Sequence, residues 1–144
     1  MNLQEVVVMS LKSIGSCGSW MLALFALCVA IAQAQVEIRE RDGVSYLAGG
    51  VGVEEREAVR KLEHFFNLKL MFAQRDGHFI GDVKVTITTS QGERVTEIDA
   101  NGPLLYVLLP VGSFRLEASF QGQPQQREVT LKAAPAKTDA NFFW

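Results

Sequence analysis

From Val36 onward, apolar and polar residues alternate in short runs, the period of strands with one face in a core. Val36-Glu37-Ile38-Arg39-Glu40 begins the pattern and Arg41-Asp42-Gly43 reads as a turn. Val44-Ser45-Tyr46-Leu47 alternates again, so these two runs predict a hairpin. Residues 53–66 break the alternation. Val59, Leu62, Phe65 and Phe66 recur there at spacings of three and four, which predicts a helix with one apolar stripe. Glu54, Glu55 and Glu57 crowd its first turn, where the positive end of the helix dipole favours carboxylates. Asn67 is the expected C-cap, and Leu68-Lys69-Leu70-Met71-Phe72 resumes the strand period.

Further along, Arg75-Asp76-Gly77 is a turn, and Val83, Val85 and Ile87 share one face of a strand. Gln91-Gly92 turns the chain into residues 94–98. Asp99-Ala100-Asn101-Gly102-Pro103 turns it into residues 104–109. Phe114, Leu116, Ala118 and Phe120 line one face of the next strand. Gln121-Gly122-Gln123-Pro124 reads as a break before a strand at 126–132. Phe142, Phe143 and Trp144 are expected to pin a final strand into the core. Short strands with turn signals about every eight to twelve residues predict a mainly β fold: an antiparallel β-sandwich of about seven strands with one packed helix.

The N-terminal stretch follows other rules. Lys12 precedes an uninterrupted apolar run at residues 21–32, and Ala32-Gln33-Ala34 supplies the small residue, spacer, small residue pattern of a signal-peptidase site. A run of about twelve apolar residues falls short of the roughly 20 that a permanent membrane-spanning helix needs. Residues 1–34 are therefore read as a signal peptide cleaved between Ala34 and Gln35, with Met9 as an alternative start. No stable membrane insertion is expected after cleavage. A lipid anchor on Cys28 is rejected, because Leu27 stands where a small residue is required.

Cleavage changes the composition. Cys17 and Cys28 both lie in the leader, so the exported chain is expected to have neither disulfides nor thiolate metal sites. Lys12 and Glu5 leave together, and the formal net charge stays at −2. That balance, with no clustered basic run, predicts no nucleic-acid binding. The roughly 110 remaining residues suffice for one domain that buries about two-thirds of its unfolded surface.

Candidate chemistry is sparse. His64 and His78 are not at metal-ligand spacing, and Asp99 with Asn101 fits a tight turn better than a calcium site, so no metal or cofactor is expected. No Gly-x-Ser-x-Gly elbow occurs, and Ser113 and Ser119 fall on the outward positions of a strand, so no enzyme activity is expected. Gly49-Gly50-Val51-Gly52 before a helix resembles a phosphate loop only superficially. Glutamates already occupy that helix end and no Lys-Ser/Thr pair follows. A connector or tight turn is the first expectation there. A partner-binding loop comprising Gly49, Gly50, Gly52, Glu54, Glu55 and Arg56 is the second.

Residues 83–131 carry a recognisable series. It comprises Val83-Lys84-Val85-Thr86-Ile87, Gln91-Gly92, Ile98-Asp99-Ala100-Asn101-Gly102 and Leu108-Leu109-Pro110-Val111-Gly112-Ser113-Phe114-Arg115-Leu116. This series resembles the carboxypeptidase regulatory-like family, a transthyretin-like (prealbumin-like) sandwich. The family pattern is a strand, a glycine turn, a Thr-Asp-x-x-Gly turn, a strand ending in Leu-Pro-x-Gly-x-Tyr, and another strand. Ile98 and Phe114 replace the common Thr and Tyr. Pro103 is a further departure, which should set its strand's start at an edge or bend. Leader and resemblance together predict three segments: the signal peptide at 1–34, a hairpin, helix and strand at 35–80 packed on the sandwich, and the carboxypeptidase regulatory-like sandwich at 81–144.

Such modules are appended to enzymes, receptors and adhesins or exported alone. The sandwich pattern and the lack of any catalytic cluster predict a non-catalytic interaction module of the bacterial cell envelope, and the leader predicts a periplasmic or secreted one. A protein partner is expected, because Tyr46, Tyr106 and Trp144 are the only Tyr or Trp residues after Ala34 and a glycan reader exposes coplanar aromatics. A carbohydrate-binding module, a structural envelope accessory and a small hydrolase are the alternatives.

Overall fold

Asp42 and Gly43 both adopt positive φ, 53° and 76°, the backbone that a two-residue hairpin turn requires. In the computed structural model, which describes residues 36–144, this turn joins β1 (Arg39–Arg41) to β2 (Val44–Gly49). Strand β1 is shorter than its alternation suggests, and its three residues are all exposed. The helix α1 (Val53–Leu62) follows, then a single 3-10 turn (Glu63–Phe65). Beyond them lie β3 (Leu68–Ala73), β4 (Val83–Thr89), β5 (Arg94–Ala100), β6 (Leu104–Leu108), β7 (Gly112–Phe120), β8 (Gln123–Leu131) and β9 (Thr138–Phe143). All nine alternating runs form strands, two more than the seven expected.

The strands make two sheets, ordered β1-β2-β6-β3-β9 and β5-β4-β7-β8. Every pairing is antiparallel except β3 with β9, which run in parallel from Leu68 opposite Thr138 to Ala73 opposite Phe143. The fold is a β-sandwich. Its core comes from the inward faces: Leu68, Leu70 and Phe72 of β3, Leu105 and Val107 of β6, Val83, Val85 and Ile87 of β4, and Leu116 and Ala118 of β7. Strands β1 to β3 are integral to the five-stranded sheet, interleaved with β6 and β9.

Helix α1 lies on the outer face of that sheet. Val59 and Phe66 pack on Leu47 and Tyr106, with Leu62, Leu104 and Val36 at the margin. Full burial of Val59 and Phe66 contributes roughly 1.5–3 kcal/mol each to holding the helix down. Phe65 was expected in this stripe but is 52% exposed. Phe66 stands just past the 3-10 turn with extended backbone, φ −114° and ψ 151°, so the helical period ends before it, with Phe66 buried and Phe65 outside.

Two further expectations are corrected. Asn67 is not a helix cap but a fully buried link, described below with its partners. Strand β8 begins at Gln123 and includes Pro124, because the turn needs only Gln121 and Gly122, both at positive φ. Proline fits there because β8 is a sheet edge, where a missing amide breaks no ladder. Pro103 marks a bend, not an edge. It precedes the central strand β6, and its carbonyl accepts a hydrogen bond from the Phe72 amide at 2.9 Å.

Side-chain links tie the two sheets together at both flanks. On one, the Trp144 indole N–H donates to the Gln123 carbonyl at 2.9 Å, and the ring packs among Phe72, Phe120 and Phe142. On the other, the buried Thr96 hydroxyl donates to the Asp42 carboxylate at 3.0 Å, tying β5 to the first hairpin.

Candidate binding cleft

Register places three loops at one end of the sandwich. Gly49 pairs with Leu104 and Met71 with Leu104, while Val83 pairs with Ala100. The β2–α1 loop, the β3–β4 loop and the β5–β6 turn therefore emerge side by side. Between them lies a cleft of about 320 Å³, lined by Gly50, Val51 and Arg56 from the first, residues 79–82 from the second and residues 101–103 from the third.

Glycines hold these loops in contact. A Cβ on Gly102 would stand 2.6 Å from the Gly49 carbonyl oxygen, and one on Gly81 would stand 2.9 Å from the Asn101 carbonyl oxygen. One on Gly50 would meet the Leu104 side chain at 2.9 Å, and Gly50 also has φ of +95°. Real side chains do not fit at such distances, so each glycine permits an approach that no other residue allows. The glycine-rich segment was expected first as a connector. In the structure Gly49 and Gly50 are buried packing points between loops.

The helix start is braced as well. Glu55, at the third helical position, reaches back to accept the Val51 amide at 2.8 Å, a variant of the capping box. The Arg56 Nε donates to the Gly52 carbonyl at 3.2 Å, which fixes the guanidinium at the cleft wall. Gly52 is the N-cap and has open space around it. Glu54 lies on the outer shoulder, in a second, shallower hollow with Val51 and Val53.

Of the six loop residues expected from the sequence, Gly50 and Arg56 line the cleft, Gly49 and Glu55 support it, and Gly52 and Glu54 stand outside. Ala34 and Gln35, the expected cleavage site, lie outside the described residues. Phe79 and Asp82 carry no signal in the sequence that points to the cleft, and Asn101 reads there only as a turn residue. Asp82 has φ of 56°, a conformation L-residues rarely hold, and no local alternation marks Phe79 as part of a surface.

The lining has apolar side chains open to solvent: Val51 is 73% exposed and Phe79 56%. Arg56 and Asp82 are the only titratable side chains in the lining, which holds no hydroxyl, thiol or imidazole. Such a lining can seat a chain segment and hydrogen-bond to it. It presents no nucleophile paired with a base. Among the described residues, no three His, Cys, Asp or Glu side chains converge as a metal site would require.

The outer face of the four-stranded sheet differs in kind. Arg115 pairs with Glu128 at 3.1 Å, Gln126 donates to Glu117 at 2.8 Å, and Glu97 faces Lys84 and Arg94 at 3.7 and 3.4 Å. These are satisfied surface pairs, worth about 0–1 kcal/mol each.

No protein-family model matches the chain, and no curated protein matches it.

Proposed function

We propose that the chain is an exported, non-catalytic interaction module of the bacterial cell envelope that binds a protein partner through the three-loop cleft. The observation that carries this is the joining of a glycine-locked cleft to the exposed apolar side chains of Val51 and Phe79. Loops on a rigid scaffold are where binding residues concentrate, and a preformed surface avoids part of the ordering cost of association. Export rests on Lys12, the apolar run after it and Ala32-Gln33-Ala34, and membership of the carboxypeptidase regulatory-like family on the strand and turn series at 83–131. A protein partner is favoured over a glycan because no Trp or Tyr lines the cleft.

The test is to express the full chain in a diderm bacterium, fractionate the cells and perform affinity capture from envelope extract. Wild type, the double variant Arg56→Gln/Phe79→Ser and a sheet-face variant, Thr86→Glu, are compared. The proposal expects a periplasmic or secreted product shortened after Ala34, with one partner lost only in the double variant. Equal capture by all three would overturn the cleft assignment. Hydrolysis of peptides, esters or glycosides, abolished by one polar substitution, would overturn the non-catalytic assignment.

A further inference from the structure

Arg56 and Asp82 line one cleft, yet neither forms an ion pair with the other or with any described residue. Their charged atoms stand beyond salt-bridge distance of each other, on the walls of the same cleft. A ligand that satisfies both must offer an acceptor to the guanidinium and a donor to the carboxylate. A peptide unit does this without carrying any charge of its own, through its C=O and its N–H, and bonds to charged groups are roughly twice as strong as neutral ones.

The rest of the lining suits the same ligand. Gly50, Gly81 and Gly102 turn their missing side chains onto neighbouring loop atoms, which holds the three loops at the fixed spacing that shapes the cleft. Phe79 and Val51 offer apolar surface to a side chain beside that peptide unit. A volume of about 320 Å³ is at the low end for ligand sites and holds a few extended residues, not a helix about 10 Å across. A polyanion is disfavoured by Asp82 within the cleft and by Glu54 on its shoulder.

We infer that the cleft recognises an extended peptide segment, its main chain bridging Arg56 and Asp82 and one apolar side chain resting on Phe79 and Val51. This inference rests on the reading of the cleft as the binding surface. It adds the partner's chemistry: an uncharged, apolar, unfolded stretch of protein.

The probe is a pool of acetylated, amidated hexapeptides Gly-Ser-X-X-Ser-Gly, with X drawn from Leu, Val and Phe. It is titrated into the full exported protein and followed by amide chemical shifts. A matched pool carries N-methyl groups on the central amides, which removes the donor and keeps the side chains. The inference expects saturable shifts confined to the three loops. It also expects binding at least ten-fold weaker for the methylated pool and for Asp82→Ala and Arg56→Gln. Equal binding of both pools, or no loss in the two variants, would overturn it. Absence of peptide binding while Phe79 still mediates capture of a folded partner would overturn the peptide assignment and leave the cleft assignment standing. Loss of both would remove the two together.

Discussion

Asn67 and Leu109 hold each other by two hydrogen bonds across 42 residues of sequence: the Asn67 Nδ2 donates to the Leu109 carbonyl at 2.8 Å, and the Leu109 amide donates to Asn67 Oδ1 at 3.0 Å. The same Nδ2 donates to the Lys132 carbonyl at 2.9 Å. One buried amide thus replaces a missing piece of ladder where β3 begins, β6 ends and β8 gives way to the last crossover.

Removing that side chain leaves a buried donor and acceptors without partners, at about 1–3 kcal/mol for each unsatisfied group. Asn67→Ala should therefore lose about 3 kcal/mol or more in urea unfolding. Asn67→Asp should fare little better, since a carboxylate accepts the Leu109 amide but donates to neither carbonyl.

Gly102→Ala forces a methyl onto the Gly49 carbonyl, where only backbone could yield. Overpacking of this kind costs about 1–3 kcal/mol. Gly52→Ala, with nothing near its Cβ, should cost about 1 kcal/mol or less. If thermal melts show the two to be equal, the loops are not locked as described.

Tyr106 tests the outer-face packing. Burial, reinforced by the Glu63 charge, raises its phenol from 10.0 to about 12. The neutral form is favoured in the fold, so this contribution is complete below pH 10.0 and is lost as pH rises toward 12. Absorbance titration should show a step near pH 12 that disappears in Tyr106→Phe and moves lower in Glu63→Gln.

Glu63 behaves in the opposite sense. Burial alone would raise its carboxyl, but the Lys137 ammonium at 3.0 Å, the Tyr106 hydroxyl and the Lys69 charge outweigh it and set it below 4.5. Its contribution is present above pH 4.5 and lost as pH falls below that value. Glu63→Gln should flatten the acid limb of the stability curve.

Asp82 separates function from stability. At φ of 56° an aspartate carries a steric cost that glycine does not. Asp82→Gly should leave stability unchanged or raise it by up to about 1 kcal/mol, while weakening partner binding.

Local chemistry was legible in the sequence. Asp42-Gly43 specified a hairpin because its turn needs only its own two residues. The glutamates after Gly52 marked the helix start because the dipole acts within one turn. Where the partner was distant, the local reading failed. Asn67 looked like a cap because its true partners lie at Leu109 and Lys132. The β3–β9 pairing joins Leu68 to Thr138, which no period reveals. The cleft was half legible: Gly50 and Arg56 come from one readable segment, but Phe79, Asp82 and Asn101 join them only through sheet register.

The most direct test of the account places a photo-crosslinking amino acid at Phe79, in the cleft, and separately at Thr86, on the sheet face, in the full chain. The account predicts one discrete adduct from position 79, abolished by Arg56→Gln, and none from position 86. Adducts from position 86 with none from position 79 would contradict it.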